Sequence, residues 1–201
     1  MIQKIYHYSK NPVDKLVPEF YDKYKEHWPE EGSMKPCGLW VSIEDYEDDT
    51  TWLTWCKGEQ FRLEALRHKY RVTLSKDIKI LYLRSEDDIV QFSHLYAKND
   101  PKDFGKYIRR ETEPYIYMIS WKTVKRYYDG IIIAPYQWNC RHALNTTWYY
   151  PWDCASGCIW NLEKVSLELE SLIDTDSLKE PEYQEEESAK DLQWASLGQS
   201  T

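Results

Sequence analysis

The chain opens on Lys4-Ile-Tyr-His-Tyr-Ser9, a run of β-branched and aromatic residues that stops at Asn11-Pro12. Such residues favour a strand, and the Asn-Pro pair ends it. Because successive side chains of a strand point to opposite faces, we expect His7 and Ser9 to share one face. A ring nitrogen and a hydroxyl placed together in this way can hold a ribose hydroxyl and a carboxamide.

Short strands and a few helices follow the opening strand. Apolar periodicity predicts helices over residues 12–24, 51–66, 85–96 and 115–128. Strands are predicted over residues 37–43, 70–74, 78–83, 131–134, 146–152 and 158–162, and residues 165–173 form a last strand or a short helix. Strands and helices do not alternate regularly, so we predict an α+β fold and not a doubly wound parallel sheet.

The 201 residues amount to one domain with a tail, at roughly 150 residues per domain. The net charge of −8 is unevenly distributed, because the residues from Asp174 onward carry eight acids and only two bases. We therefore predict a folded domain over residues 1–173 and a disordered acidic C-terminal tail over residues 174–201. The nearly neutral domain can still present a basic face.

Composition also predicts a cytoplasmic protein that does not enter a membrane. The first residues lack the apolar segment of a secretory signal, and no apolar run is long enough to cross a bilayer. Five cysteines are odd in number and irregularly spaced, which is typical of free thiols in a reducing compartment.

Several classes of enzyme lack their signatures here. The sequence has no glycine-rich phosphate loop, no Gly-x-Ser-x-Gly elbow and no His-Glu-x-x-His motif. Cys140-x-His142 and Cys154-x3-Cys158 supply four possible zinc ligands, but no pair has the two-residue spacing of a zinc knuckle. Buried thiols with a loop histidine are the favoured interpretation, and we predict no metal site.

A second cluster joins Gly38-Leu-Trp-Val-Ser42 to Thr51-Trp-Leu-Thr-Trp-Cys56. Trp52 and Trp55 are three residues apart and so lie on one face of the predicted helix. An indole on that face can stack a flat heteroaromatic ring. The two tryptophans can equally be core anchors, and these residues alone leave both interpretations open.

Together, the two clusters resemble the ADP-ribosyltransferase superfamily in its diphtheria-toxin and poly-ADP-ribose-polymerase branch. His7-Tyr8-Ser9 stands where that branch has His-Gly-Ser, and Gly38-Leu-Trp-Val-Ser42 is similar to its Gly-Ile-Tyr-Phe-Ala strand. Trp55-Cys56 resembles its Tyr-Cys pair. The resemblance covers three short segments in order across residues 1–162. It implies a split mixed β-sheet of short strands with flanking helices, and the size is that of bacterial-toxin and phage-type members.

The resemblance implies NAD as co-substrate and a role for each matching position. His7 would bind an NAD ribose, Ser9 the nicotinamide amide, and Trp55 would stack on the nicotinamide ring. The full set of expected NAD-binding residues is His7, Tyr8, Ser9, Trp40, Ser42, Trp52 and Trp55.

The expected catalytic residues are His7 and Asp153. Asp153 stands where the family has a glutamate, and Tyr8 replaces the family's glycine. Three alternatives remain open: Asp153 is the late carboxylate, the chain works without one, or activity is lost.

The acceptor of the ADP-ribose would be a nucleic acid or a protein. Basic residues interleaved with aromatic ones suit single-stranded RNA or DNA, although a solvated helix face is an equal alternative. These basic residues are Lys102, Lys106, Arg109, Arg110, Lys122, Lys125 and Arg126. A neutralising protein partner is also expected for a toxin-type member.

Two rival functions follow from the same residues. The RNA 2′-phosphotransferases use NAD without a catalytic glutamate, but they rely on an Arg-His-His-Arg set, and here Lys4 and His7 have no adjacent arginine. The other rival is a non-catalytic, aromatic-rich interaction or inhibitor protein whose acidic tail occupies a basic site on a partner.

Overall fold

The computed structural model describes residues 4–17, 31–46, 50–98 and 118–180. Within these ranges the chain forms an α+β fold with a seven-stranded mixed sheet of short strands, which confirms the predicted fold class. The strands are β1 (Ile5–Ser9), β2 (Glu31–Ser33), β3 (Leu39–Ile43), β4 (His68–Leu74), β5 (Ile80–Leu83), β6 (Ala97–Lys98), β7 (Met118–Ser120), β8 (Gly130–Ile133), β9 (Ser156–Ile159) and β10 (Val165–Leu172). The α-helices are α1 (Trp52–Gly58), α2 (Glu86–Tyr96) and α3 (Trp121–Val124).

The large sheet has the strand order β10-β4-β1-β3-β9-β8-β5. Only β5 and β8 pair in parallel among these described strands, and the other pairs are antiparallel. Every residue of β8 is buried, as expected for a strand covered on both faces. A separate three-stranded sheet has the order β2-β7-β6.

The sheet opens between β1 and β3. These strands are registered only at Ile5↔Ile43 and Tyr6↔Ser42. Beyond that point β1 continues to pair with β4 as far as Ser9, and β3 pairs with β9 along Leu39 to Ser42. The backbones of β1 and β3 therefore part at His7, which leaves a gap in the middle of the sheet.

Two apolar clusters stabilise the faces of the sheet. The larger one contains β8, the inward residues of β3 and three tryptophans that are fully buried, namely Trp121, Trp148 and Trp152. The smaller one packs Tyr6 and Tyr8 against Cys56 of α1 and against a 3₁₀ turn over Leu63–Leu66. Alternate residues of β1 thus serve different clusters, which puts His7 and Ser9 on the face opposite Tyr6 and Tyr8.

Local capping explains where the two longer helices begin. Thr51 precedes α1 and exchanges hydrogen bonds with Thr54, and Ser85 does the same with Asp88 at the start of α2. Each pair forms a capping box, which satisfies backbone N–H groups that have no partner within the helix. The prediction of a helix capped at Ser85 is confirmed, whereas α1 ends at Gly58, earlier than predicted.

Three local predictions are wrong within the described residues. Residues 12–17 are not helical, and the remainder of the helix predicted over 12–24 lies outside the described ranges. The helix predicted over 115–128 is replaced from residue 118 by β7 followed by the single turn of α3. The strand predicted over 146–152 is a 3₁₀ segment, Leu144–Tyr149.

The predicted domain boundary at residue 174 falls inside the described part of the chain. Residues 174–180 include a 3₁₀ turn over Asp176–Leu178, and Leu178 packs against the smaller apolar cluster. Residues 181–201, which hold most of the predicted acidic tail, lie outside the described residues. None of the described helices is long and apolar enough to cross a membrane.

Candidate functional site

The gap between β1 and β3 is part of a cleft with two adjoining cavities. Their volumes are about 810 Å³ and 300 Å³, which lie in the usual range of small-molecule sites. Four residues line both cavities: His7, Lys35, Trp40 and Arg62. The two cavities therefore meet at the point where the sheet opens.

His7 bridges the gap with its side chain. Its Nδ1 atom lies 2.8 Å from the carbonyl oxygen of Trp40, which can only accept, so Nδ1 carries the hydrogen. Burial lowers the pKa of His7, although the bond to Trp40 opposes that effect. The imidazole is therefore neutral near pH 7, and its Nε2 is an acceptor that is oriented by the Trp40 bond.

Asp153 lines the smaller cavity together with His7. It precedes β9, the strand that pairs with β3, and it accepts a hydrogen bond of 3.1 Å from Nη2 of Arg141. Burial raises the pKa of the Asp153 carboxyl and outweighs the opposing attraction of Lys35 and Arg141. The structure thus places the two predicted catalytic residues in one cavity, with the carboxylate already engaged by an arginine.

The N-terminus of α1 supplies an aromatic wall to the same cavity. The Trp52 backbone N–H donates to Oγ of Ser42 at 3.1 Å, so Ser42 holds the start of α1 against β3. The Trp52 ring lines the smaller cavity, and the Trp55 ring stacks on it with centroids 5.2 Å apart. Trp55 does not line either of the two cavities, so of these two stacked tryptophans it is Trp52 that faces the cleft.

Tyr8 also lines the smaller cavity, but its hydroxyl is already bonded. It donates to Oε1 of Glu44 at 2.6 Å, and Glu44 is ion-paired with Lys69 at 2.8 Å. Burial and the Glu44 carboxylate raise the pKa of Tyr8 well above its usual value. The phenol therefore stays protonated, and its bond to Glu44 fixes the ring beside β1.

Ser9 lies on the other side of the junction from the catalytic pair. It lines the larger cavity, and its Oγ donates to the carbonyl oxygen of Asn11 at 2.8 Å. The structure therefore brings His7, Tyr8, Trp40, Ser42, Trp52 and Asp153 to the smaller cavity, with Ser9 in the adjoining one.

The cationic residues of the cleft were not predicted from the sequence. The Lys35 ammonium lies 4.8 Å from the ring centroid of Trp40, and the Trp40 ring in turn packs edge-on against Trp152 at 4.8 Å. Arg62 comes from the loop after α1 and has a left-handed backbone, with φ 47°. Both residues lie in polar connecting segments whose sequences carry no local signal of a binding site.

The structure describes only part of the predicted nucleic-acid-binding cluster. Lys102, Lys106, Arg109 and Arg110 lie outside the described residues. Lys122 and Arg126 are exposed on α3 and the turn that follows it. Lys125 instead reaches inward and donates to the carbonyl oxygen of Cys37 at 3.2 Å, beside the larger cavity.

Metal-ligating side chains do not gather in the described ranges. No group of three or more His, Cys, Asp or Glu residues there could hold a metal ion. All five cysteines are buried. Burial raises the pKa of Cys154 to about 12, so this thiol, which lines the smaller cavity, is protonated at neutral pH.

No protein-family model, no curated protein and no solved structure matches the chain.

Proposed function

We propose that the chain is an NAD-dependent ADP-ribosyltransferase that moves ADP-ribose from NAD to a nucleic acid or a protein and releases nicotinamide. The observation that carries the proposal is the opening of the sheet at His7, whose neutral ring is fixed by Trp40 and lines a cavity with Asp153. A histidine, a carboxylate and an indole therefore line one cavity together.

The residues of the cleft fit the parts of NAD. Trp52 offers an aromatic face for a flat nicotinamide ring, and Nε2 of His7 is oriented to accept a hydrogen bond from a ribose hydroxyl. The lysines and the arginine of the cleft suit the two phosphates. The two adjoining cavities accommodate the two ends of an elongated molecule.

The protein's task in this reaction is to position and stabilise, because NAD brings its own leaving group, a cationic nicotinamide. Positive charge develops on the ribose as that group departs, and a nearby carboxylate stabilises it. Asp153 is the carboxylate of the smaller cavity, and its ion pair with Arg141 fixes its orientation. The same ion pair offsets part of the negative charge of Asp153. We therefore expect the transfer reaction to be slow.

An NAD user of the RNA 2′-phosphotransferase type is the second candidate. The observation that favours it is the balance of charge in the cleft, where Lys35 and Arg62 line both cavities and the carboxylate of Asp153 is paired. Such an enzyme removes a phosphate from RNA and needs cations more than a free carboxylate.

Buried cysteines of irregular spacing are typical of a reducing compartment, and we propose that the protein acts in the cytoplasm. A toxin-type transferase acting there would require a neutralising protein partner in its host.

The test is incubation of the purified protein with NAD labelled in the adenylate phosphate, together with a whole-cell extract. Transfer to an acceptor that nuclease removes indicates an RNA or DNA transferase, and transfer that protease removes indicates a protein-directed one. An RNA bearing a 2′-phosphate, added in parallel, would lose that phosphate only under the second candidate. If no label moves and no nicotinamide is released, the enzyme proposal fails and a non-catalytic interaction protein takes its place.

A matched pair of histidine variants controls this assay. His7→Asn removes Nε2 but keeps a donor for the Trp40 carbonyl, whereas His94→Asn changes an exposed histidine on α2. Transfer is expected to disappear in the first and to persist in the second.

A further inference from the structure

Charge in the cleft is opposite in sign to the charge of the chain. The larger cavity is lined by the cations Lys10, Lys15, Lys35 and Arg62 and by one carboxylate, Asp14. The chain as a whole carries a net charge of −8. A concave site of one sign, with walls of low dielectric, attracts ligands of the other sign. The larger cavity therefore suits an anionic ligand.

Lys35 is the cation at the junction of the two cavities. Its ammonium is placed 4.8 Å from the Trp40 ring centroid, and burial lowers its pKa against the attraction of Asp153. Asp153 is the carboxylate that acts most on Lys35, but it is already ion-paired with Arg141. Because Asp153 is shared between Lys35 and Arg141, binding of an additional anion beside the partly buried Lys35 ammonium is favourable.

The Lys35 ammonium is held in place by packed groups. Oγ of Ser33 donates to the Lys35 carbonyl oxygen at 2.8 Å and fixes the backbone. The Trp40 ring beneath the ammonium is supported by Trp152, which is fully buried. These contacts within the protein restrict the Lys35 side chain, which reduces the conformational entropy lost when it binds an anion.

Arg62 reaches the same junction from a strained loop. Gln60 and Arg62 both have positive φ, at 49° and 47°, a backbone conformation that is unfavourable for residues other than glycine. The Gln60 side chain donates to the carbonyl oxygens of Lys57 and Leu178, at 2.8 and 3.2 Å, and so ties the loop to the C-terminal segment. The surrounding contacts thus hold a backbone that brings Arg62 to the cleft.

We propose that Lys35 and Arg62 bind the phosphates of a diphosphate-linked nucleotide that occupies both cavities, with Lys35 as the principal anion-binding residue. The inference rests on the proposed function for the identity of that nucleotide, but it concerns binding and can be tested without turnover. The ligand class is a nucleoside diphosphate. A ligand with one phosphate leaves part of the cationic charge unbalanced and binds more weakly.

Isothermal titration of the full chain with ADP, AMP and inorganic pyrophosphate tests the assignment. ADP and pyrophosphate are expected to bind and AMP to bind more weakly. Lys35→Met keeps the length of the side chain without its charge and should weaken ADP binding by about tenfold to a hundredfold. Lys35→Arg should restore most of the affinity, and Lys76→Met, at an exposed turn, should change nothing.

A second readout separates binding from structure. Removing a partly buried charge should leave the melting temperature of the free protein unchanged or raise it, whereas a structural lysine would lower it. If Lys35→Met does not fold, Arg62→Met provides the same titration, with a smaller loss expected. The assignment is overturned if the wild-type chain binds neither ADP nor pyrophosphate, or if both charge-removing variants bind them as well as wild type.

The two proposals fail in different ways. Turnover of NAD with a KM that Lys35→Met leaves unchanged would overturn the role of Lys35 and leave the transferase standing. Lys35-dependent binding of ADP, with no release of nicotinamide from NAD, would overturn the transferase and leave the nucleotide site.

Discussion

The Nδ1 atom of His7 lies 2.8 Å from the carbonyl oxygen of Trp40, across the line where β1 and β3 stop pairing. The side chain of one strand thus contacts the backbone of the next at the point where regular pairing has ended. This single bond bridges the gap, fixes the tautomer of the imidazole and leaves Nε2 as its acceptor. The separation of β1 and β3 and the orientation of the His7 ring therefore depend on the same contact.

His7→Asn and His7→Gln are expected to separate the structural role of His7 from its binding role. Asparagine can still donate to the Trp40 carbonyl, so its free energy of unfolding should stay within about 1 kcal/mol of wild type. Glutamine reaches past that carbonyl and should cost about 1–3 kcal/mol, because the oxygen loses its partner. Urea denaturation followed by tryptophan fluorescence measures both values. Equal stability of the two variants would show that the Trp40 bond is unimportant to the fold.

Stability should depend on pH through His7. Its pKa in the folded protein lies below the usual 6.5 because burial disfavours the imidazolium. As pH falls below about 6.5, the unfolded chain binds a proton at His7 more readily than the folded chain does. The free energy of unfolding therefore decreases between pH 6.5 and the lowered pKa of the folded protein. Lys35, Arg62 and Asp153 line the same cleft, so the test is the difference between wild type and His7→Asn, measured from pH 7.5 to pH 5. A difference that does not change with pH would contradict the lowered pKa.

Asp153→Asn should reduce activity far more than stability. Burial raises the pKa of this carboxyl despite Arg141, so its charge does not stabilise the fold, and the unfolding free energy should change by no more than about 1 kcal/mol. Release of nicotinamide from NAD should fall by about 10²–10³. Asp176→Asn, which removes an exposed carboxylate paired with Lys179, is the control that should alter neither. Full activity in Asp153→Asn would remove Asp153 from the mechanism.

Gly38 and Gly58 provide a matched pair for packing. A methyl group at Gly38 would lie 2.6 Å from the carbonyl oxygen of Ile159 and 2.8 Å from Sγ of Cys158, so Gly38→Ala should destabilise the chain by about 3 kcal/mol. Nothing lies within 4 Å of the corresponding position at Gly58, the last residue of α1. Gly58→Ala should stabilise by up to about 1 kcal/mol. Thermal unfolding of both variants measures these changes in stability. An unchanged melting temperature for Gly38→Ala would contradict the close approach of β3 and β9.

Local sequence signals predicted the elements that depend on local physics. β1 and β8 are rich in β-branched and aromatic residues, and α2 has its capping box at Ser85. Each of these features determines structure within a few residues, independently of the remainder of the chain.

Tertiary packing overrode the local signal in other places. The aromatic run that predicts a strand over residues 146–152 forms a 3₁₀ segment, because Trp148, Tyr149 and Trp152 are all buried in one cluster. A strand would have divided them between two faces. The Oγ1 atom of Thr146 donates to the carbonyl oxygen of Cys140 at 2.6 Å, which holds the turn that a strand would not allow.

Only some of the residues that line the cleft were predicted from the sequence. His7, Trp52 and Asp153 carry recognisable chemistry, and the fold brings them to one cavity. Lys35 and Arg62 belong to polar connecting segments, and only the three-dimensional path of the chain brings them to the junction. Neighbours in sequence also part in space, since β4 and β5 follow one another along the chain but lie in opposite halves of the sheet.

The most direct test of the proposed transferase activity is to measure the release of nicotinamide from NAD by the purified wild-type chain and by His7→Asn. Wild type should release nicotinamide in the presence of cell extract. His7→Asn should have the same melting temperature as wild type and release nicotinamide about 10²–10³ times more slowly. An inactive wild-type chain, or a His7→Asn variant as active as wild type, would contradict the assignment of the cleft as a transferase site.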